Sequence, residues 1–367
     1  MGSVNIKNKI TSWQLTFFII QCQIGVGILS LPNRLHVLAK AGGWISILLA
    51  GLMIQMLIIL FYLLMKKFPG DTIYDISIRL FGNICGTILN AGYTMFFILV
   101  GIAVMLNACA IIKNWILHST PFIVIIFLFT ISGLYVAHNS FKVIVRFNAL
   151  VSVTIFFMII LIARGLLNSE ILYLFPVLES GWRNIFYGSI ISRLDMGGFE
   201  LLLIVYPWAI GSDISKLKAA SIANGFVVFF YIFITLTCFM KFSPQQIELV
   251  SEPVIYLLRS LHMGFIDRID LIFIPIWMVT IVTFIGNYLY VSSVGIKSIL
   301  KLNSNIRALP ILSFIFFGAA CFFDNPQKIE GITQLPENSS HFFTFIFPLV
   351  LVLYINLKDI IVKFVKK

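Results

Sequence analysis

The sequence predicts an all-α integral membrane protein: ten transmembrane helices in two five-helix halves of opposite orientation, with helices one and six broken. Three observations predict it. Sixty per cent of the 367 residues are hydrophobic and 11% are charged, where a soluble domain carries about 25% charge. Ten apolar stretches approach or exceed the roughly 20 residues that cross a bilayer as a helix. Glycines interrupt the first and the sixth of these, at Gly25-Val26-Gly27 and Gly197-Gly198, and glycine is the poorest ordinary residue for a helix interior.

The stretches run at about 13–31, 44–65, 84–112, 120–138 and 147–163, then 184–210, 222–242, 270–296, 308–323 and 342–357. The ninth is marginal in length. The first is too long for a signal-peptide core and has no small-residue cleavage site before Pro32. The whole chain, 1–367, reads as a single transmembrane domain, half one about 1–165 and half two about 180–367. Five helices per half forces opposite orientations if the halves share a fold. Breaks in the first helix of each half follow the inverted-repeat logic of LeuT-type transporters.

Charge sets the orientation. The tails and even-numbered loops hold 16 Lys and Arg residues, among them Lys66, Lys67, Lys216 and Lys218; the odd loops hold nine, such as Arg34 and Lys40. The positive-inside rule then places both termini in the cytoplasm. Anionic membrane lipid accounts for the net charge of +11, so no nucleic acid is implied. After the seventh stretch, Ser251-Glu252-Pro253 opens a short amphipathic helix. It can pack on the outer ends of the bundle or act as a lid. Asn338-Ser339-Ser340 matches a glycosylation sequon in an outer loop.

The five cysteines form no C-x-x-C pair and the five histidines have no metal-ligand spacing, so neither metal nor cofactor is expected. Nucleophile-elbow, Walker and complete dinucleotide-binding motifs are missing, and no enzyme is expected.

The candidate site lies at the breaks. Unwound backbone survives in lipid only where protein or a wet cavity satisfies it. If the first helix unwinds at Gly25, Val26 and Gly27, the half-helix from Ile28 presents free N–H groups suited to a carboxylate. The rival reading is that these glycines only allow close packing. Around the second break, Arg193, Asp195 and Glu200 are three ionisable groups within eight residues of a membrane helix. Each costs about 2.5–3.5 kcal/mol at the bilayer centre on insertion scales. Asp195 can cap the half-helix near Gly198, and Arg193 can pair with Asp195 or Glu200. Alternatively, Asp195 or Glu200 serves a polar path for protons, water or an ammonium. Thr280, Thr283 and Asn287 share one face of helix eight, and Tyr93, Phe97, Val100 and Gly101 cluster on helix three.

The segment from Gly25 to Pro32, followed by Ala41-Gly42-Gly43-Trp44-Ile45, resembles the start of the spore germination permease family. Gly198-Phe199-Glu200 and Tyr206-Pro207 resemble that family's sixth helix. These proteins are B subunits of nutrient germinant receptors and belong to the amino acid–polyamine–organocation superfamily. The resemblance implies a receptor in the spore inner membrane, beside a membrane-embedded A subunit and a lipoprotein C subunit. The ligand implied is a small nutrient germinant, most often an amino acid. The implied binding residues are Gly25, Val26, Gly27 and Ile28 in helix one, Gly197, Gly198 and Phe199 in helix six, and Val100 and Thr283. The helix-five lysine of some proton-coupled relatives is missing from Phe147 to Ala163, and helix eight has no adjacent Ser/Thr pair for sodium. Sensing is thus favoured over pumping. The rivals are an amino-acid permease working alone and a ligand-gated water or ion conduit.

Single cysteines placed beside Lys218 and beside Lys366 should be labelled only from the cytoplasmic side. Labelling of either from outside would refute the topology.

Overall fold

The computed structural model describes residues 9–167, 169–261, 268–322 and 326–365. Among these residues the chain is helical throughout, apart from loops and one isolated bridge between Ile10 and Ala209. A capping box at Thr11 starts α1 (Ser12–Gln23): its side chain accepts from Gln14 N–H, and the Gln14 side chain accepts from Thr11 N–H. This satisfies two donors that every helix start leaves open. The chain leaves the helix at Ile24 and resumes as α2 (Gly27–Ala39). The second span is α3 (Gly43–Lys67). In α4 (Ile73–Trp115), Gly82 takes a φ of 76° and divides a short arm from the third span. The Asn90 amide donates to Tyr74 O at 3.0 Å and ties that arm to the span.

Spans four and five are α5 (Phe122–Ala137) and α6 (Phe141–Ala163). The sixth is broken: α7 (Gly181–Asp195) stops, and helical turns resume over Phe199–Trp208, with α8 (Leu202–Val205) at their centre. Then come α9 (Asp213–Lys241), two short helices α10 (Pro244–Leu249) and α11 (Pro253–Arg259), α12 (Asp270–Leu300) and α13 (Leu309–Phe322). The tenth span is α14 (Pro326–Ser340), a π-helical turn over His341–Ile346, and α15 (Phe347–Val365).

The first four spans each pack against the counterpart five spans later. The pairs are α2 with α7, α3 with α9, α4 with α12 and α5 with α13. The ten-span, five-plus-five plan with spans one and six broken is therefore the observed architecture. At the end of the bundle that holds Ile10, Ile10 N–H donates to Trp208 O at 2.9 Å and Ile210 N–H donates to Ile10 O at 2.7 Å. This near-end strap ties the start of the chain to the end of the sixth span.

Two expectations are corrected. Residues 326–340 form helix, not the loop assumed for the sequon, so Asn338 is helical. The segment is polar, yet it runs on into the tenth span and lies along α4. The segment after the seventh span forms two helices instead of one, because Ser243 starts a second capping box ahead of Pro244. Of that segment, 262–267 lie outside the described residues. α11 buries Val254, Ile255, Leu257 and Leu258 against α2, α9 and α12. α10 is strapped to α2: the Asn33 amide donates to Ile247 O at 2.7 Å and to Glu248 O at 3.2 Å.

Lys40 donates to the Glu248 carboxylate, and this bond holds Glu248 below the usual glutamate range. A depressed carboxyl stabilises the fold above its unfolded value of about 4.3, and that stabilisation fades as pH falls through the lower folded value. Hydrogen-exchange protection of the α10 amides, corrected for intrinsic rate, should decline over that acid window. In Glu248→Gln it should stay level. Level protection in the unaltered protein would show that the pair does not hold α10.

Candidate binding site between the two breaks

The breaks interlock. Gly198 has φ of 116°, in the region that favours glycine, and a Cβ there would lie 2.0 Å from Cys22 O at the end of α1. A Cβ on Gly27 would lie 2.8 Å from Asp195 Cβ. The end of α1 is thus pressed on the second break, and the start of α2 on the end of α7. Freed carbonyls in such a place must be bonded by protein. The Tyr231 hydroxyl of α9 lies 3.3 Å from Gln23 O and 3.2 Å from Asp195 O, within donating distance of either. The Gln23 amide donates to Met196 O at 3.2 Å, and the Trp277 indole donates to Gly25 O at 3.4 Å.

The three ionisable groups find three separate partners, so neither ion pair expected for Arg193 forms. The Asp195 carboxylate accepts from Arg34 Nη1 at 2.9 and 3.0 Å. Residues two apart on a helix do not face each other, which sends Arg193 and Asp195 in different directions. Nor does Asp195 cap the half-helix. Glu200 does so instead: Gly198 N–H donates to its Oε2 at 2.7 Å, while the Tyr288 hydroxyl donates to its Oε1 at 2.7 Å. Glu200 is only 3% exposed. Arg193 reaches the tenth span, to Ser340, His341 and Thr344.

A cavity of about 130 Å³ lies between the breaks. Gly25, Val26, Gly27, Arg193, Asp195, Gly197, Phe199 and Glu200 line one side of it, and Val100 of α4 another. Three sequence-predicted residues are absent from its wall. Ile28 is fully buried in packing. Gly198 serves the close approach to α1. Thr283 donates back to its own helix, to Val279 O and Thr280 O. The wall also contains Phe96, Phe284, Tyr288 and Glu337, with Ser340 and Thr344 of the tenth span. Phe284 and Tyr288 are one turn apart on helix eight and share a face of it, distinct from the Thr283 face that the sequence singled out. The polar tenth-span residues were not singled out either. Toward the end of the bundle opposite Ile10, the cavity shares Val26, Gly27, Asn107, Asp195, Thr333 and Glu337 with a second of about 420 Å³. Arg34, Glu252 and Glu330 line this one too. Among the described residues, no group of three His, Cys, Asp or Glu side chains gathers as a metal site.

Two interlocked broken helices around a central cavity define a membrane protein of the transporter fold. A Na+-coupled sialic acid symporter, solved substrate-bound and outward-open, has this fold, with TM-score 0.68 and 12% identity over 93% of this chain and 78% of that one. The chain belongs to the spore germination permease family, whose profile, described as spore germination protein, matches residues 9–329. Spore germination protein GerQB of Bacillus cereus is 24% identical over 90% of this chain and 91% of its own length. Spore germination protein YndE of Bacillus subtilis is 25% identical over 93% of each chain.

The glycines should differ in tolerance. At Gly25 the nearest atom to a new Cβ is Phe284 Cε2 at 3.7 Å, an ordinary contact. Gly25→Ala should accumulate normally. Gly198→Ala combines a backbone clash with strain worth about 1–3 kcal/mol, and should lose most folded protein. Equal immunoblot levels for the two variants would show that the breaks do not interlock this way.

Proposed function

We propose that this chain is a nutrient germinant receptor subunit of the spore inner membrane. It binds a small nutrient, first of all an amino acid, between the two breaks and triggers germination. It works beside A and C subunits, with both termini cytoplasmic. The observation that carries this reading is the cavity itself, bounded by both breaks and continued toward the end of the bundle opposite Ile10 by a larger polar one. A solute from outside would enter through the second cavity, and the strap at Ile10 lies on the other side. The ammonium of a zwitterion would meet the buried Glu200 carboxylate. Its side chain would lie against Phe96, Val100, Phe199 and Phe284.

The transporter fold also favours a second reading, an amino-acid permease working alone. Uptake of labelled amino acids into proteoliposomes holding only this chain separates the two. The receptor reading expects none above that of empty vesicles.

Specificity should follow the cavity wall. A methylene of misfit is worth about 1–3 kcal/mol, or roughly 10–200-fold. Val100→Leu and Phe199→Ala should shift the preferred nutrient or its half-maximal concentration by that order. Thr283→Ala should not. The measurement is germination rate against an amino-acid panel, with protein level checked by immunoblot. Unchanged ranking in both wall variants would move nutrient sensing to another subunit.

A further inference from the structure

Arg193 is the charged group on the cavity wall whose bonds are all weak. Its side chain is buried, with the residue 7% exposed. Its contacts are Ser340 Oγ at 3.4 Å, Thr344 Oγ1 at 3.5 Å and His341 Nδ1 at 3.2 Å. These acceptors are uncharged side-chain atoms (the imidazole accepts when its proton is on Nε2), and all lie beyond the usual 2.9–3.0 Å. Among the described residues no carboxylate lies within 4.0 Å of the guanidinium. Asp195 is held by Arg34, and Glu200 by Gly198 and Tyr288. A buried guanidinium without a counter-ion is costly, and its five donors form a fork that matches a carboxylate.

The other candidate for an anion is the start of α2, and it is already covered. Asp195 Cγ would lie 3.0 Å from a Cβ on Gly27, so a carboxylate sits against that helix end. A second anion placed there would face repulsion. Arg193 holds the opposite position: a full positive charge on the same wall, resting on a π-turn. Such turns break the regular ladder and occur often at functional sites. Here Tyr93 donates to Phe343 O at 2.9 Å within the turn.

We propose that Arg193 is the receptor for the carboxylate of the bound solute. It exchanges its long contacts with Ser340, His341 and Thr344 for a charge-assisted pair. The site thereby requires a free carboxylate. This rests on the proposed function, because it names the group that the cavity recognises.

The test uses the full chain in lipid nanodiscs and its thermal unfolding midpoint. The probes are the twenty amino acids, each beside its carboxamide and its decarboxylated amine, with neutral sugars and nucleosides as controls. The concentration needed for a given stabilisation reports affinity. At least one free acid should act at about 10–100-fold lower concentration than its carboxamide, the range of one charge-assisted pair. Arg193→Gln should bring that ratio close to one, and Arg193→Lys should restore part of it. If Arg193→Gln fails to fold, the double variant Ser340→Ala, Thr344→Ala decides: freed from its resting contacts, Arg193 should raise the ratio. A ratio unchanged in Arg193→Gln, or in the double variant when the first does not fold, overturns the assignment and leaves the pocket standing. Stabilisation by neutral solutes alone does the same. If no solute stabilises the protein, the pocket reading fails and this assignment falls with it.

Discussion

A backbone that leaves its helix inside lipid has no water to bond, so the protein must supply every partner. The architecture around Gly25–Gly27 and Gly197–Gly198 follows from that constraint. Tyr231 from α9, Trp277 from α12 and Gln23 from α1 reach the carbonyls freed at the two breaks. Glu200 turns back to cap the N–H of Gly198. The broken helices cannot be taken from this setting singly, because Gly198 lies on Cys22 O and Gly27 on Asp195. Closing the backbone account at one break requires the other.

The same economy governs charge. Burying an isolated ion costs several kcal/mol, so buried charges are paired or bonded. Asp195 has a guanidinium, and Glu200 has two strong donors. Arg193 has only weak acceptors on the tenth span. The cavity between them therefore has one corner with unmet positive charge, beside an apolar wall built from α4 and α12. A polar body with an apolar side chain fits such a division.

The tenth span brings a second feature into the site. α14 is polar enough to lie beside water, and it runs along α4 into the cavity wall. The π-turn that follows places Ser340, His341 and Thr344 within reach of Arg193. A solute bonded to Arg193, as proposed, would compete with a contact between the sixth and tenth spans.

The sequence by itself determined the class, the ten spans and the place of the breaks. Hydropathy and glycine are local signals: a bilayer filters apolar length, and Gly25, Gly27, Gly197 and Gly198 weaken the helix wherever they stand. The first glycine break pointed to Val26, charge within a membrane helix to Arg193 and Glu200, and the family resemblance to Val100 and Phe199; all five line one cavity. Only the tertiary structure decided who pairs with whom. Arg34 looked like a loop charge until the fold set it against Asp195, 161 residues away. Tyr288 reached Glu200 across 88 residues, and Ser340 reached Arg193 across 147. Thr283, apt by spacing, spent its hydroxyl on its own helix. Residues 326–340 were too polar for a hydropathy window, and packing against α4 fixed them in the site. The physical reason is that hydropathy and helix propensity act within a segment, whereas a buried charge takes its partner from whichever helix the fold brings within about 3 Å.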